Sequence, residues 1–170
     1  EDAIGNDAYF ALNKVLTKMS QEEVIKEIKD SGLRGRGGGG YPTGLKWEAC
    51  YKSQGEQKYV VCNADEGEPG TFKDRYILHK NCHRVIEGMT IGALCIGASK
   101  GFIYLRGEYS YLKPIIENTI SERLKQNLLG ANILGKNGFE FNIEIRMGAG
   151  AYICGEESAL IESLEGKRGE

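Results

Sequence analysis

Three clusters in this 170-residue sequence hold residue types that could do chemistry. The first is Gly35-Arg-Gly-Gly-Gly-Gly-Tyr-Pro-Thr-Gly-Leu-Lys-Trp47. Backbone without Cβ atoms can curl its amides around an anion, and Lys46 adds a point charge. Gly35, Gly37 and Gly40 match G-x-G-x-x-G, but a helix precedes them where the dinucleotide fingerprint needs a strand. The P-loop pattern also fails: Gly39 and Gly44 have its spacing, yet Leu45 stands at the lysine position. A phosphate-bearing ligand and a merely flexible connector both stay open for this loop. The second cluster is Asp65, Glu66 and Glu68, directly after a predicted strand. The carboxyl ends of strands are where ligands lie in open α/β sheets. Three acids there could accept bonds from ribityl or ribose hydroxyls, hold a divalent metal, or solvate a turn. The third cluster runs from Tyr152 to Glu157, where a glycine-rich turn feeds a helix headed by Glu156 and Glu157. Capping of the helix dipole, worth about 0.3–1 kcal/mol per acid, also accounts for those two glutamates.

Weaker signals accompany these. His79 and His83 share a helix face with Cys82 between them, but a metal site needs a further ligand and nothing else points to one. Helix-face packing or solvent exposure is the preferred reading, so no metal is expected. Cys154 lies beside the third cluster and reads as a packed thiol. Core packing is the default for Trp47.

The elements that must position these clusters are legible from periodicity. Residues 7–19 put Ala8, Leu12, Val15, Leu16 and Met19 on one helical face. Ser20 and Glu23 form a capping-box pattern that opens a second helix with stripe Val24, Ile25 and Ile28, stopped by Gly32. A glycine-rich loop spans 33–47. Residues 58–62 are a short β-branched strand that spills into the acidic loop 63–70. Residues 83–99 read as a helix thinned on one side by Gly88, Gly92 and Gly97, with close approach of another backbone as the expected compensation. A second strand covers 101–106. Ser110 is read as the cap of a long helix with Pro114 in its first turn and a stripe of Ile115, Ile116, Ile120, Leu124 and Leu128. Phe139, Phe141, Ile143, Ile145 and Met147 alternate with polar residues, giving a strand that turns through 148–155 into a last helix, 156–164. Strands separated by helices predict an α/β fold with a parallel sheet.

Composition narrows the function classes. The chain is 41% hydrophobic and 27% charged, which is ordinary for a folded domain rather than a disordered one. Its formal charge of −2 argues against nucleic acid as the main partner. The longest apolar stretch, 85–98, is broken by Glu87 and three glycines, too short and interrupted to span a bilayer. The opening residues show no export leader. Five well-separated cysteines with no C-x-x-C pair fit a reduced compartment and exclude a recognisable zinc or iron–sulfur site here. The 24 glycines are the unusual number, and they concentrate at the three clusters.

Taken together, the first cluster, Asn63-Ala-Asp-Glu-Gly-Glu-Pro-Gly70 with Phe72-Lys-Asp-Arg75, and Gly148-Ala-Gly-Ala-Tyr-Ile-Cys-Gly-Glu-Glu-Ser-Ala-Leu160 with Glu165-Gly-Lys-Arg-Gly169 resemble the NADH-binding flavoprotein subunit of respiratory complex I. The related subunits of NAD-linked bifurcating hydrogenases and formate dehydrogenases share the module. The resemblance implies a Rossmann-like domain over 33–170, preceded by a helical segment over 1–32, that binds FMN without a covalent link. By position, Gly35, Arg36, Gly37, Gly38, Gly40 and Lys46 would form the phosphate and flavin loop. Asn63, Asp65, Glu66 and Gly67 would face the ribityl chain and flavin edge, with Tyr152, Gly155, Glu156 and Glu157 on the other side. Tyr41, where the family usually has phenylalanine, would stack on the adenine of NADH, and Glu68 would bond the nucleotide. Glu157 would lie near nicotinamide and flavin, the nearest to a catalytic position.

The reaction so implied is hydride transfer from NADH to flavin, then one-electron steps to iron–sulfur clusters of partner subunits. Two departures stand out: Gly67 where some members have serine, and Ala49 where some have an aromatic. The family's later flavin contacts and its 4Fe–4S cysteine motif are not found in these 170 residues, so an excised flavin domain is expected. The implied location is cytoplasmic, or peripheral on the inner face of a membrane. A truncated assembly module that holds no flavin, and an unrelated phosphate-binding enzyme, are the competing readings.

Overall fold

A computed structural model describes residues 8–148 and 151–168. Ala149, Gly150 and Gly169 of the third motif therefore lie outside the described residues, as does Asp7 at the start of the first predicted helix. The elements in chain order are α1 (Phe10–Lys18), α2 (Gln21–Asp30), α3 (Thr43–Lys52), β1 (Tyr59–Ala64), α4 (Lys73–Ile96), β2 (Lys100–Leu105), α5 (Lys113–Lys125), β3 (Gly130–Ala131), β4 (Glu140–Met147) and α6 (Glu157–Leu164). Short 3-10 turns cover Gly107–Leu112, Ile133–Gly135 and Tyr152–Gly155.

The sheet order is β1-β2-β4-β3, with β1, β2 and β4 parallel and the two-residue β3 antiparallel to β4. Each step between parallel strands moves the same way, so right-handed crossovers put α4 and α5 on one face. That face buries Ala64, Ile103, Leu105, Phe141 and Ile143 against Leu78, Ile86, Met89 and Ala93 of α4 and Ile116 of α5. Leu12, Val15 and Leu16 of α1 and Val24 and Ile25 of α2 join the same core. The opposite face is covered at its carboxyl end by α6, where Leu160 and Cys154 pack on Tyr104. Farther back on that face Tyr59 and Val61 stay exposed, and Tyr59 packs on Phe102 with ring centroids 5.8 Å apart.

Local signals account for several boundaries. The Ser20–Glu23 capping box is present in both directions, with Ser20 N–H donating to the Glu23 carboxylate at 2.7 Å and Glu23 N–H to Ser20 Oγ at 3.2 Å. Gly32 follows the helix with φ +67°, the left-handed value that glycine takes without strain.

Other boundaries differ from the sequence reading. Trp47 and the four residues before it are helical rather than loop, because α3 starts at Thr43. α4 begins at Lys73, ten residues before the predicted start (83 − 73), and is interrupted at Asn81 (φ −135°, ψ 32°). It ends one residue before Gly97, whose φ of +76° makes it the cap and not an interior glycine. Gly92 is filled by a ring rather than a backbone: a Cβ there would lie 3.3 Å from Trp47 Cζ2. The tight backbone approach occurs instead at Gly44, where a Cβ would lie 2.7 Å from the Lys29 amide nitrogen. Ser110 is not the cap of α5. It sits exposed inside the 3-10 turn, which buried Tyr109 and Leu112 pin to the core, and α5 starts at Lys113. Leu124 of the predicted stripe is exposed, and Leu128 is buried beyond the helix end.

Candidate functional site

The parallel register aligns Ala64 with Leu105 and Leu105 with Met147, so the three strands end side by side. Their carboxyl ends release the acidic loop after β1, Arg106 after β2, and Gly148 after β4. Here the sequence clusters meet.

The glycine loop is pinched at its base. Gly35 N–H donates to the Tyr41 carbonyl at 2.9 Å and Thr43 N–H to the Leu33 carbonyl at 2.9 Å, flanking a bridge between Arg34 and Pro42. Arg34 also donates to the Gly40 carbonyl at 3.1 Å. Between these ties, Gly38 (φ +113°) and Gly40 (φ +59°) adopt values that side-chain-bearing residues rarely take. A Cβ at Gly37, Gly38, Gly39 or Gly40 would meet nothing within 4 Å, so the loop offers open backbone. Lys73 Nζ holds the loop from outside by donating to the Arg36 carbonyl at 2.6 Å. Tyr41 is 58% exposed.

Links between clusters complete the arrangement. Lys46 Nζ, one turn into α3, pairs with Glu157 Oε2 at 2.7 Å on the first turn of α6. Asn63 Nδ2 donates to the Gly155 carbonyl at 2.9 Å, while its Oδ1 accepts Asp65 N–H at 3.1 Å. The Tyr152 hydroxyl donates to Glu68 Oε2 at 2.8 Å, a bond that pushes the phenol's pKa up. A Cβ on Gly67 would lie 3.1 Å from Tyr152 Cδ2, and one on Gly155 would lie 3.3 Å from the Asp65 carbonyl oxygen. Two glycines thus let the second and third clusters close on each other.

The acids divide by environment. Asp65 is half-buried, and desolvation raises its pKa against the opposing pull of Arg106. Glu68 and Glu157 are exposed. Glu156 turns its carboxylate back to cap α6, accepting from Ser158 N–H at 2.9 Å and Ala159 N–H at 3.2 Å. Glu66 points inward and is only 9% exposed. It accepts the Tyr109 hydroxyl at 2.9 Å and Asp74 N–H at 2.9 Å, so it caps the start of α4 from a distance. Arg106 donates to the Glu66 carbonyl and pairs with Glu108 at 2.7 Å.

Arg106 and Tyr109 are absent from the sequence reading of the site, and Lys73 stands in its Phe72–Arg75 motif without an assigned role. Arg106 and Tyr109 follow β2 as the acidic loop follows β1, so the same strand-end rule applied to β2 finds them. The role of Lys73 has no local signal, because its partner is a carbonyl 37 residues away. Cys154 is buried under α6, as the packed-thiol reading has it. Cys82 is also buried, with its thiol pushed up to about 11, and His83 is held below its usual range by desolvation and by Arg123 and Arg84. Trp47 packs against the core at Gly92.

Residues 28–170 match the family described as the Nuo51 FMN-binding domain. The chain belongs to that family. The NAD-reducing hydrogenase HoxS subunit alpha of Cupriavidus necator is 60% identical over 151 residues, covering 89% of this chain and 25% of that protein. An NADH-quinone oxidoreductase subunit of Rhizobium meliloti is 51% identical over 162 residues, covering 95% of this chain and 38% of its own. Among solved structures, an NAD+-reducing [NiFe]-hydrogenase in the H2-reduced state superposes with TM-score 0.81 at 44% identity, covering 89% of this chain and 25% of that one. The chain therefore spans about a quarter to two-fifths of the curated relatives it matches.

The site's chemistry fits the cofactor in the Nuo51 family's description. Open glycine backbone followed by a helix start and a lysine suits a phosphate, and Asn63 with Asp65 offers acceptors and a donor for hydroxyls. Among the described residues no helix is long and apolar enough to cross a membrane.

Proposed function

We propose that this chain is the FMN- and NADH-binding domain of a multi-subunit NADH-oxidising complex whose partner subunits carry iron–sulfur clusters. When bound, FMN supplies the chemistry that links two-electron oxidation of a nicotinamide to one-electron carriers. The protein's part is binding and orientation, and it needs no acid or base for hydride transfer.

The observation that carries this reading is the convergence of all three motifs at one end of three register-aligned strands, tied by the Lys46–Glu157, Asn63–Gly155 and Glu68–Tyr152 contacts. Gly35, Arg36, Gly37, Gly38 and Gly40 would surround the phosphate with backbone amides, and Lys46 would leave Glu157 to add its charge. Asn63 and Asp65 would bond the ribityl hydroxyls. Gly67 and the backbone of Glu66 would set the flavin edge, opposite Tyr152, Gly155 and Glu156, while the Glu66 side chain anchors the loop from beneath. Tyr41 would stack on the adenine, Glu68 would hold the nucleotide, and Glu157 would stand beside the nicotinamide. Residues 1–32 would serve as helical support for the binding unit 33–170. With no spanning helix among the described residues, a peripheral place in such a complex suits the chain.

The test is an FMN titration of the full-length protein, followed by anaerobic addition of NADH. Stoichiometric flavin whose visible absorbance bleaches with NADH supports the reading. A colourless protein that takes up no FMN refutes it, as does occupancy by ATP or a sugar phosphate that FMN cannot displace.

A further inference from the structure

We infer that Tyr109 is a positioning residue of the flavin and nucleotide site, acting through the Glu66 carboxylate; this rests on the function proposed above. In sequence Glu66 lies between Asp65 and the Gly67–Glu68 pair, which the function proposed above places around the flavin and nucleotide. Its own side chain is buried and cannot take the same part. The carboxylate is carried by two neutral donors, the Tyr109 hydroxyl and the Asp74 amide, each at 2.9 Å. The same residue's carbonyl accepts from Arg106. Side chain and backbone of Glu66 are thus fixed from the turn after β2 and the start of α4. The other end of the loop is held at the surface, where exposed Glu68 accepts the Tyr152 hydroxyl on its carboxylate and Thr71 on its carbonyl.

A buried carboxylate that loses one of two donors seeks water, and the loop it anchors moves with it. Tyr109 suits this task. Burial and the Glu66 contact push its phenol up to about 12, so it stays a donor at any working pH. Its ring is held independently, 7% exposed in the core and edge-on to Tyr111 with centroids 6.2 Å apart. Removing the hydroxyl alone therefore leaves the ring in place. Lys73, adjacent to Asp74, ties the glycine loop to the same helix start through the Arg36 carbonyl. The beginning of α4 is the common bracket for two of the three binding loops, and Tyr109 secures Glu66 to it.

The experiment is Tyr109→Phe in the full-length protein within its assembled complex, with FMN Kd, NADH KM and kcat per bound flavin measured using ferricyanide as acceptor. A hydrogen bond to a charged group is at stake, so the FMN Kd is expected to rise about 10-fold or more. NADH KM should rise several-fold while kcat per bound flavin stays within about 2-fold, since the reacting rings are untouched. Combined with Glu66→Gln, the losses should fall short of additive, because both changes act on one contact. Kd and KM within about 2-fold of the parent overturn the inference, and so does a lower melting temperature with both constants unchanged. Full additivity with Glu66→Gln overturns it too. A parent protein that neither holds FMN nor oxidises NADH sinks the proposed function, and this inference with it. A competent parent beside an unaffected Tyr109→Phe sinks the inference alone.

Discussion

Alanine at Gly44 puts the seating of α3 to the test. A Cβ there would lie 2.4 Å from Lys29 Cγ, 2.7 Å from Lys29 N and 2.9 Å from Lys29 Cα. Lys29 Cγ can rotate away, but the amide nitrogen and Cα are the backbone of α2. Comfortable carbon contacts begin near 3.5 Å, so the helices must part by roughly 0.5–1 Å. Overpacking against rigid backbone falls in the upper part of its usual range, about 2–3 kcal/mol. Alanine returns about 1 kcal/mol of helix propensity over glycine, which leaves a net loss of about 1–2 kcal/mol. With a urea m-value of about 2 kcal/mol per molar, the midpoint should fall by roughly 0.5–1 M. Trp47 is the chain's one tryptophan and sits on α3 itself, so its emission reports the transition where the strain is applied. The control is Gly39→Ala, where a Cβ meets nothing within 4 Å and the midpoint should hold within about 0.25 M. Lys46 rides on α3 two positions along, so FMN affinity should fall together with stability. An unchanged or raised midpoint for Gly44→Ala refutes the reasoning, because the clash would then have been absorbed without moving α3.

Three further outcomes follow from the same geometry. Lys46→Met should change stability by less than about 1 kcal/mol, since its partner Glu157 is 66% exposed at the side chain, yet weaken FMN binding more than about 10-fold; urea titration and flavin fluorescence separate the two. Gly67→Ser should crowd Tyr152, which is exposed and can yield, so NADH KM should rise several-fold in steady-state assays with little change in melting temperature. Asp65 has its pKa raised by desolvation, so the native state binds its proton more tightly than the unfolded chain does. Stability then falls as pH rises from the ordinary aspartate range near 4 through the raised value. Asp65→Asn should accordingly raise the urea midpoint at pH 7, the gain vanishing below about pH 4, while costing FMN affinity.

What the sequence made legible was what it encodes locally. The Ser20–Glu23 box is complete within four residues, and the alternation across Glu140–Met147 marks a strand with one buried face. Glycine and acid runs marked the loops that the fold brings together, because strand-end loops are short and carry their own chemistry. The start of α4 was hidden because its cap, Glu66, lies outside the helix, and the break at Asn81 splits its apolar period. Ser110 misled because capping preference was weaker than the burial of Tyr109 and Leu112 on either side of it. The inward turn of Glu66 was illegible for a related reason: its partner is 43 residues away, and in sequence it looks like its exposed neighbour Glu68. Likewise, helix propensity points to a tight approach at Gly88, Gly92 and Gly97, whereas the contact at Gly44 depends on where α2 lies.

The strand alignment has a consequence for the order of biogenesis. Tyr59 pairs with Lys100, and Lys100 with Asn142, so every rung of the parallel sheet joins residues about 40 positions apart in the chain. The glycine loop leaves the ribosome more than 100 residues before Gly148, the residue that ends β4. At about 5–20 residues per second that interval is roughly 6–20 s. During it the loop and the acidic turn are finished polymer without the third strand that seats them. On the proposed function the flavin pocket is thus a late product of synthesis, and flavin would enter only once β4 has docked. A stall or cleavage upstream of that strand would release a chain carrying two of the three motifs and no pocket to join them.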